Sequence, residues 1–270
     1  MKPKVCVLKT DGINCDEEMM YAFMASGGHP ELVHVNQLRT GAKKLADYAV
    51  LAIPGGFSYG DDIASGKVLA TELMSFLSAQ LKTFVQAGKP IIGICNGFQV
   101  LVKAGLLPGE PVGKRRVTLT ENIIGRFECR WVDLAVAKSR CKFVTPTDFA
   151  KAPIPMQVAH GEGRFFGSSA DIQALEAAAQ VVFKYSTASL GAPTGFPDNP
   201  NGSMGDIAGI CDQTGLVLGM MPHPERSLQA FHPHRTRTGA AHQGASAIFN
   251  SIINYAKHAA REPQVTSNRT

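Results

Sequence analysis

The sequence predicts an α/β protein: a three-layer, open, mainly parallel sheet with an antiparallel extension. Three observations point there. Short apolar runs at Val5–Leu8, Leu32–Val35, Ala49–Ile53 and Ile91–Ile94 alternate with helical segments. After Gly105 that alternation stops, and strand-like runs follow one another without intervening helices. Pro54-Gly55-Gly56 and Cys95 both fall just past the carboxyl end of a predicted strand, where such sheets build their sites.

The elements follow in order. Glu17 to Ala25 reads as a helix stopped by Gly27-Gly28, and Val68 to Ala87 as one long amphipathic helix closed by Gly88. Phe98 to Lys103 reads as a short helix closed by Gly105. Val117–Thr120, Phe127–Val136, Met156–His160 and Val181–Tyr185 read as the added strands. Ile207–Cys211 and Leu216–Met220 form a hairpin around Asp212-Gln213-Thr214-Gly215. From Ala245, the apolar residues Ile248, Phe249, Ile252 and Ala256 share one helical face.

With 270 residues, 44% of them hydrophobic, the chain has enough apolar surface for one sizeable core. One domain over residues 1–260 is expected, with a polar tail over 261–270. The net charge is +5, but the basic residues are scattered; Lys114-Arg115-Arg116 and the Arg235/Arg237 pair are too sparse for a nucleic-acid footprint. None of the six cysteines forms a Cys-x-x-Cys pair, and Met1-Lys2-Pro3-Lys4 enters a strand with no signal-peptide apolar region. No apolar run approaches the ~18 residues a membrane helix needs. A cytoplasmic protein with reduced thiols is expected.

Gly93-Ile94-Cys95-Asn96-Gly97 is the Gly-x-nucleophile-x-Gly pattern with cysteine in the reactive position. A tight strand-to-helix turn pushes that side chain out of the sheet, and the helix N-terminus favours a thiolate and a neighbouring oxyanion. The bland alternative is a buried structural cysteine. A cysteine nucleophile needs a base and a group to orient it. His223 follows a strand, lies between Pro222 and Pro224, and has Glu225 two residues on, the same-side spacing of an extended segment. An exposed turn histidine beside a solvated glutamate is the ordinary alternative. His160, in His160-Gly161-Glu162-Gly163, is a rival base. His232 and His234 flank Pro233 but lack a third ligand at a recognisable spacing, so no metal is expected. Gly56-Phe57-Ser58-Tyr59-Gly60 imitates a serine elbow, yet Pro54-Gly55 separates it from its strand and Asp61, Asp62 and Gly66 delay any helix. Its better use is as a backbone donor: Gly56 and Phe57 on one side and Asn96 on the other would make an oxyanion hole.

Gly93-x-Cys95-x-Gly97-x-Gln99, Pro54-Gly55-Gly56 and His223-x-Glu225 together resemble class I (triad) glutamine amidotransferase domains. Five longer motifs, in order, are similar to those of the glutaminase subunits of phosphoribosylformylglycinamidine synthase. They are Pro54 to Asp61, Gly93 to Gln99, Ala159 to Phe165, Asn199 to Ser203 and Gly219 to Arg226. The resemblance runs from about Val5 to Tyr255 and implies a flavodoxin-like fold. It implies hydrolysis of L-glutamine to glutamate and ammonia through a cysteine thioester, with Cys95, His223 and Glu225 as the triad. It places Gln99 near bound glutamine, and His160 and Gly161 are taken as further substrate contacts. It implies no cofactor in this chain. ATP and Mg belong to a PurL-like synthetase partner, joined by a small PurS-like bridging subunit. That partner would use the ammonia to convert formylglycinamide ribonucleotide to the amidine. The chain is longer than the compact members around Gly109–Arg116, Ser139–Pro155 and His232–Gln243, and it is not expected to be the fused form. A stand-alone cysteine amidase or γ-glutamyl hydrolase on the same fold stays open, as does a non-catalytic module, which the intact Cys95, His223 and Glu225 argue against.

Overall fold

A computed structural model describes residues 1–109, 116–145, 152–228 and 240–259. His232, His234, Lys114, Arg115, Arg235, Arg237 and the 261–270 tail lie outside the described residues. The strands are β1 (Lys4–Lys9), β2 (His29–His34), β3 (Val50–Ile53), β4 (Ile91–Ile94), β5 (Val117–Thr120), β6 (Glu128–Val136), β7 (Ile154–His160), β8 (Arg164–Gly167), β9 (Val181–Ser186), β10 (Ile207–Cys211) and β11 (Val217–Met220). The main helices are α1 (Asp16–Ala25), α2 (Val35–Arg39), α3 (Lys67–Phe76), α4 (Ser78–Gln86), α5 (Asn96–Lys103), α6 (Ser169–Ala177) and α7 (Ala240–Ala259).

One nine-stranded sheet carries the fold, in the order β2-β1-β3-β4-β11-β10-β9-β6-β7. β2, β1, β3, β4 and β11 run parallel. From β11 to β7 every pairing is antiparallel, so the predicted extension continues the same sheet except at β5, which pairs with β8 in a separate two-stranded antiparallel sheet. The central strands are buried at every residue, as a sheet covered on both faces requires. α1 and α7 pack together on one side, with Phe23 edge-on to Phe249 at 5.1 Å. α3 and α5 pack together over β3, β4 and β11 on the other. Ile248, Phe249, Ile252 and Ala256 are all buried, as their spacing predicts.

Two further expectations differ. The long helix over Val68–Ala87 is two helices that break at the buried Leu77 (φ −110°, ψ −2°), and α4 turns there onto the Leu45–Asp47 segment. Nothing in Phe76-Leu77-Ser78 is a helix breaker, so the bend answers tertiary packing. The added strands are also interrupted by α6, whose Ser168 and Asp171 form a reciprocal cap, a Ser-x-x-Asp signal visible in the sequence.

Candidate active site

The carboxyl ends of β3, β4 and β11 lie side by side, because Ile53 pairs with Gly93 and Met220 with Ile94 in parallel register. Cys95 leaves β4 at φ +52°, ψ −107°, a conformation that costs a non-glycine residue about 1–3 kcal/mol. Two backbone bonds hold it there. Its N–H donates to the Met220 carbonyl at 2.8 Å, and its carbonyl accepts from the Gln99 N–H at 3.1 Å. The flanking glycines are required by contact. A Cβ on Gly97 would sit 2.0 Å from the Ile53 carbonyl oxygen, and one on Gly93 would sit 2.5 Å from that of Gly97. The elbow read from the sequence is therefore present, with Cys95 at its apex and α5 opening behind it.

β11 runs into Met221-Pro222-His223. The antiparallel half of the sheet curls back to meet it: the His223 N–H donates to the Gln157 carbonyl of β7 at 2.8 Å. His223 Nδ1 lies 2.6 Å from Glu225 Oε1, and both side chains are buried. Among the described residues His223 Nε2 and Glu225 Oε2 have no hydrogen-bond partner. Burial pushes the imidazole down, but the Glu225 carboxylate and the neighbouring Cys95 and Cys15 thiols outweigh it and hold His223 well above the usual histidine range. A Cβ on Gly55 would lie 2.8 Å from His223 Cε1 and 3.4 Å from Cys95 Cβ. Gly55 thus packs against both, and the structure brings Cys95, His223 and Glu225 together.

The Gly55-Gly56-Phe57 loop runs against Gly12 to Cys15. The Gly55 carbonyl accepts from the amides of Asn14 at 3.4 Å and Cys15 at 3.3 Å. A planar trans peptide then turns the Gly56 N–H to the opposite side, away from that loop. Phe57 departs from expectation. Its N–H donates to the Gly12 carbonyl at 2.8 Å, because Ile13 and Gly56 form a short antiparallel bridge, so this donor is spent and does not face Cys95. Asn96, the first residue of α5, has an amide with no intrahelical acceptor by position. Ser58 is no elbow. Its buried hydroxyl lacks a partner among the described residues, and its N–H donates to Asn96 Oδ1 at 3.3 Å. Tyr59, Gly60 and Asp61 then follow in left-handed conformations, where an elbow would start a helix.

The remaining candidates form a supporting wall. His160 Nδ1 lies 3.1 Å from Asn122 Oδ1, and Nε2 lies 3.4 Å from Asn201 Nδ2. Burial pushes the His160 imidazole down to about 3, so it stays neutral. Gln99 Nε2 donates to the Glu162 carbonyl at 2.5 Å, and its Oε1 accepts from Asn96 Nδ2 at 3.1 Å. The Gly161 carbonyl accepts from the Asn122 N–H at 2.9 Å. The polar atoms of Gln99 and His160 are therefore engaged inside the protein and fix the Gly161–Gly163 loop. The Cys95 thiol lies 3.7 Å from the Ala159 carbonyl just before that loop.

Sequence reasoning singled out neither Cys15 nor Arg226. Arg226 Nη2 donates to Cys15 Sγ at 3.0 Å, and Cys15 Sγ would lie 3.2 Å from a Cβ on Gly55. Cys15 carried no local signal, since 80 residues separate it from Cys95 and only the β1–α1 loop returns it to the site. Asn201 sat in a motif without an assigned role; it is fully buried and donates to the Gly163 carbonyl at 2.9 Å.

Residues 2–256 match the family model described as the CobB/CobQ-like glutamine amidotransferase domain. The chain is 46% identical over 231 residues to the phosphoribosylformylglycinamidine synthase subunit PurQ of Methanococcus maripaludis, covering 84% of each chain. It is 42% identical over 259 residues to the PurQ subunit of Dehalococcoides mccartyi, covering 95% of this chain and 98% of that one. A chain in the structure of PurLQS from Thermotoga maritima superposes with a TM-score of 0.71 at 34% identity, covering 94% of this chain and 99% of that one. With the elbow, the buried histidine–carboxylate pair and the parallel sheet beneath them, the chain belongs to the PurQ subunits of phosphoribosylformylglycinamidine synthase, within the CobB/CobQ-like glutamine amidotransferase domains.

Proposed function

We infer that this chain is the glutaminase of a phosphoribosylformylglycinamidine synthase, supplying ammonia for purine biosynthesis. The observation that carries the chemistry is Cys95, strained at the elbow beside the buried His223–Glu225 pair, with a glycine packed against both. Cys95 is assigned as the nucleophile. Its thiolate adds to the side-chain amide carbon of L-glutamine, and the C=O π electrons move to oxygen. The Asn96 and Gly56 amides are assigned to that oxyanion. His223, charged by the thiol proton and steadied by Glu225, protonates the leaving nitrogen. The C–N bond breaks, ammonia departs and a thioester remains. Water then adds, giving its proton to His223, and collapse of the second intermediate releases glutamate and the thiol. We assign Gln99, His160 and Gly161 as supports that shape the wall of this pocket.

The partner is assigned as a PurL-like synthetase subunit, with a small PurS-like bridging subunit. The support is the Thermotoga maritima neighbour, whose structure is of PurLQS. ATP and Mg are assigned to that synthetase, and the complex to the cytoplasm, a reading supported by the six unpaired cysteines. No helix among the described residues is long and apolar enough to cross a membrane.

The test is reconstitution with the synthetase. Cys95→Ser should abolish glutamine-dependent formation of the amidine ribonucleotide while ammonia-dependent formation persists. Loss of both in a well-folded variant would make Cys95 structural.

A further inference from the structure

We propose that Cys15, His223 and Glu225 form an inhibitory binding site for a zinc-class cation, beside the cavity between α1 and the turn that follows β11. One donor atom from each residue lies within 4.8 Å of the others, and all three residues are buried. Thiolate, imidazole and carboxylate are the ligand types zinc takes, and bonds of about 2.0–2.3 Å in a tetrahedron place donors roughly 3.3–3.8 Å apart. Closing the cluster needs side-chain shifts on the order of 1 Å.

Two further observations point to a ligand. Among the described residues His223 Nε2 and Glu225 Oε2 are buried without a hydrogen-bond partner; Oε2 has unused lone pairs, and Nε2 offers one when the imidazolium gives its proton to solvent as the ion binds. A cavity of about 580 Å³ also touches the cluster at Glu225, lined by Glu17, Glu18, Tyr21, Gln157, Glu225 and Arg226 among others. Glu17 and Glu18 favour a cation in that cavity, and Glu225 is part of its wall. Of the three ligands only Glu225 lines this cavity; Cys15 and His223, like Cys95 and Gly55, are not among its lining residues, so an ion entering this way would pass Glu225 first. The Arg226 guanidinium, 3.0 Å from Cys15 Sγ, steadies the thiolate once its proton leaves. Thiolate, carboxylate and guanidinium together leave one negative charge for the ion to neutralise.

A bound ion ties up the imidazole and carboxylate that Cys95 depends on. That consequence rests on the function proposed above; the binding itself does not. The first test is therefore made without turnover. The full chain carrying Cys95→Ser is titrated with Zn²⁺ by calorimetry and with Co²⁺ by absorption. One ion per chain is expected, with a thiolate-to-cobalt charge-transfer band. Both should vanish when Cys15→Ser is added, in a chain whose circular dichroism and melting are unchanged. No binding by Cys95→Ser, or equal binding with and without Cys15, overturns the site.

The second test is glutamate release. Zn²⁺ should inhibit the unmodified chain reversibly by chelator. Measured against its own metal-free rate, Cys15→Ser should need about tenfold more Zn²⁺ or greater, since losing a ligand costs at least as much as losing a group that supports one. Equal sensitivity would place the inhibition on Cys95 and overturn the proposal. A chain that binds Zn²⁺ through Cys15 yet never releases glutamate would instead sink the proposed function.

Discussion

Glu225 Oε1 lies 2.6 Å from His223 Nδ1, and the burial of both side chains makes the carboxylate the main reason the imidazole holds its proton. Glu225→Gln keeps the shape and removes the charge, so His223 should titrate at lower pH. The folded-state value is raised above the unfolded one of about 6.5, so the stabilisation is complete below that pH and is lost as pH rises through the folded value. Urea denaturation should therefore show a larger gap between the unmodified chain and Glu225→Gln at pH 6 than at pH 9. The rate of glutamine hydrolysis should fall by about 10²–10⁴. A stability gap that does not change with pH would remove the charge argument.

The Phe57 N–H is spent on the Gly12 carbonyl, while the Phe57 ring is half exposed and lies 6.4 Å from the Phe127 ring. The free chain therefore lacks one of the three oxyanion donors its sequence promised. One such donor is typically worth about 10²–10³ in rate. If docking of the synthetase with its substrates frees that amide, kcat for glutamine should rise by about this factor. Glutamate release by the lone chain at the rate of the complex would sink the idea and favour a stand-alone amidase.

His160 is buried and depressed to about 3, so the unfolded chain binds a proton the folded one refuses. Between roughly pH 6.5 and 3 the fold should lose stability as pH falls, by about 2 kcal/mol between pH 7 and 5. His160→Asn should lose most of that dependence, as read by urea midpoints at the two values. A variant as acid-sensitive as the unmodified chain would show that other groups dominate.

Ser58 and Gly97 separate the imitation elbow from the real one. Ser58→Ala removes a buried hydroxyl that has no partner, so activity and stability should stay within about 0.5 kcal/mol of the unmodified chain. Gly97→Ala forces a Cβ to within 2.0 Å of the Ile53 carbonyl oxygen and should cost about 1–3 kcal/mol or more, with a large loss of kcat. Thermal melts and glutamate release measured together would show it, and equal activity losses for the two variants would revive Ser58.

Local pattern reached a long way here. The elbow was legible because backbone contact forbids side chains at Gly93 and Gly97, a constraint that leaves two glycines in fixed register around Cys95. The His223–Glu225 pair was legible from its spacing, although the segment is not extended: His223 caps a 3₁₀ turn over Pro224–Ser227, and that turn brings the Glu225 carboxylate back onto Nδ1. The strands were legible because a sheet covered on both faces demands unbroken apolar runs, as at Ile91–Ile94.

Other features depended on contacts between segments distant in the chain. The helix break at Leu77 answers packing on the Leu45–Asp47 segment, and no residue there breaks helices by itself. The Phe57 amide is consumed by Gly12, 45 residues earlier, because two loops pair edge to edge. Gln99 and His160 look like free polar groups in sequence, yet burial forces each to satisfy itself on Asn96, Glu162, Asn122 or Asn201. Cys15 was silent for the same reason. A thiol announces its role through its neighbours, and His223, Glu225 and Arg226 become its neighbours only when β1 and β11 lie in one sheet.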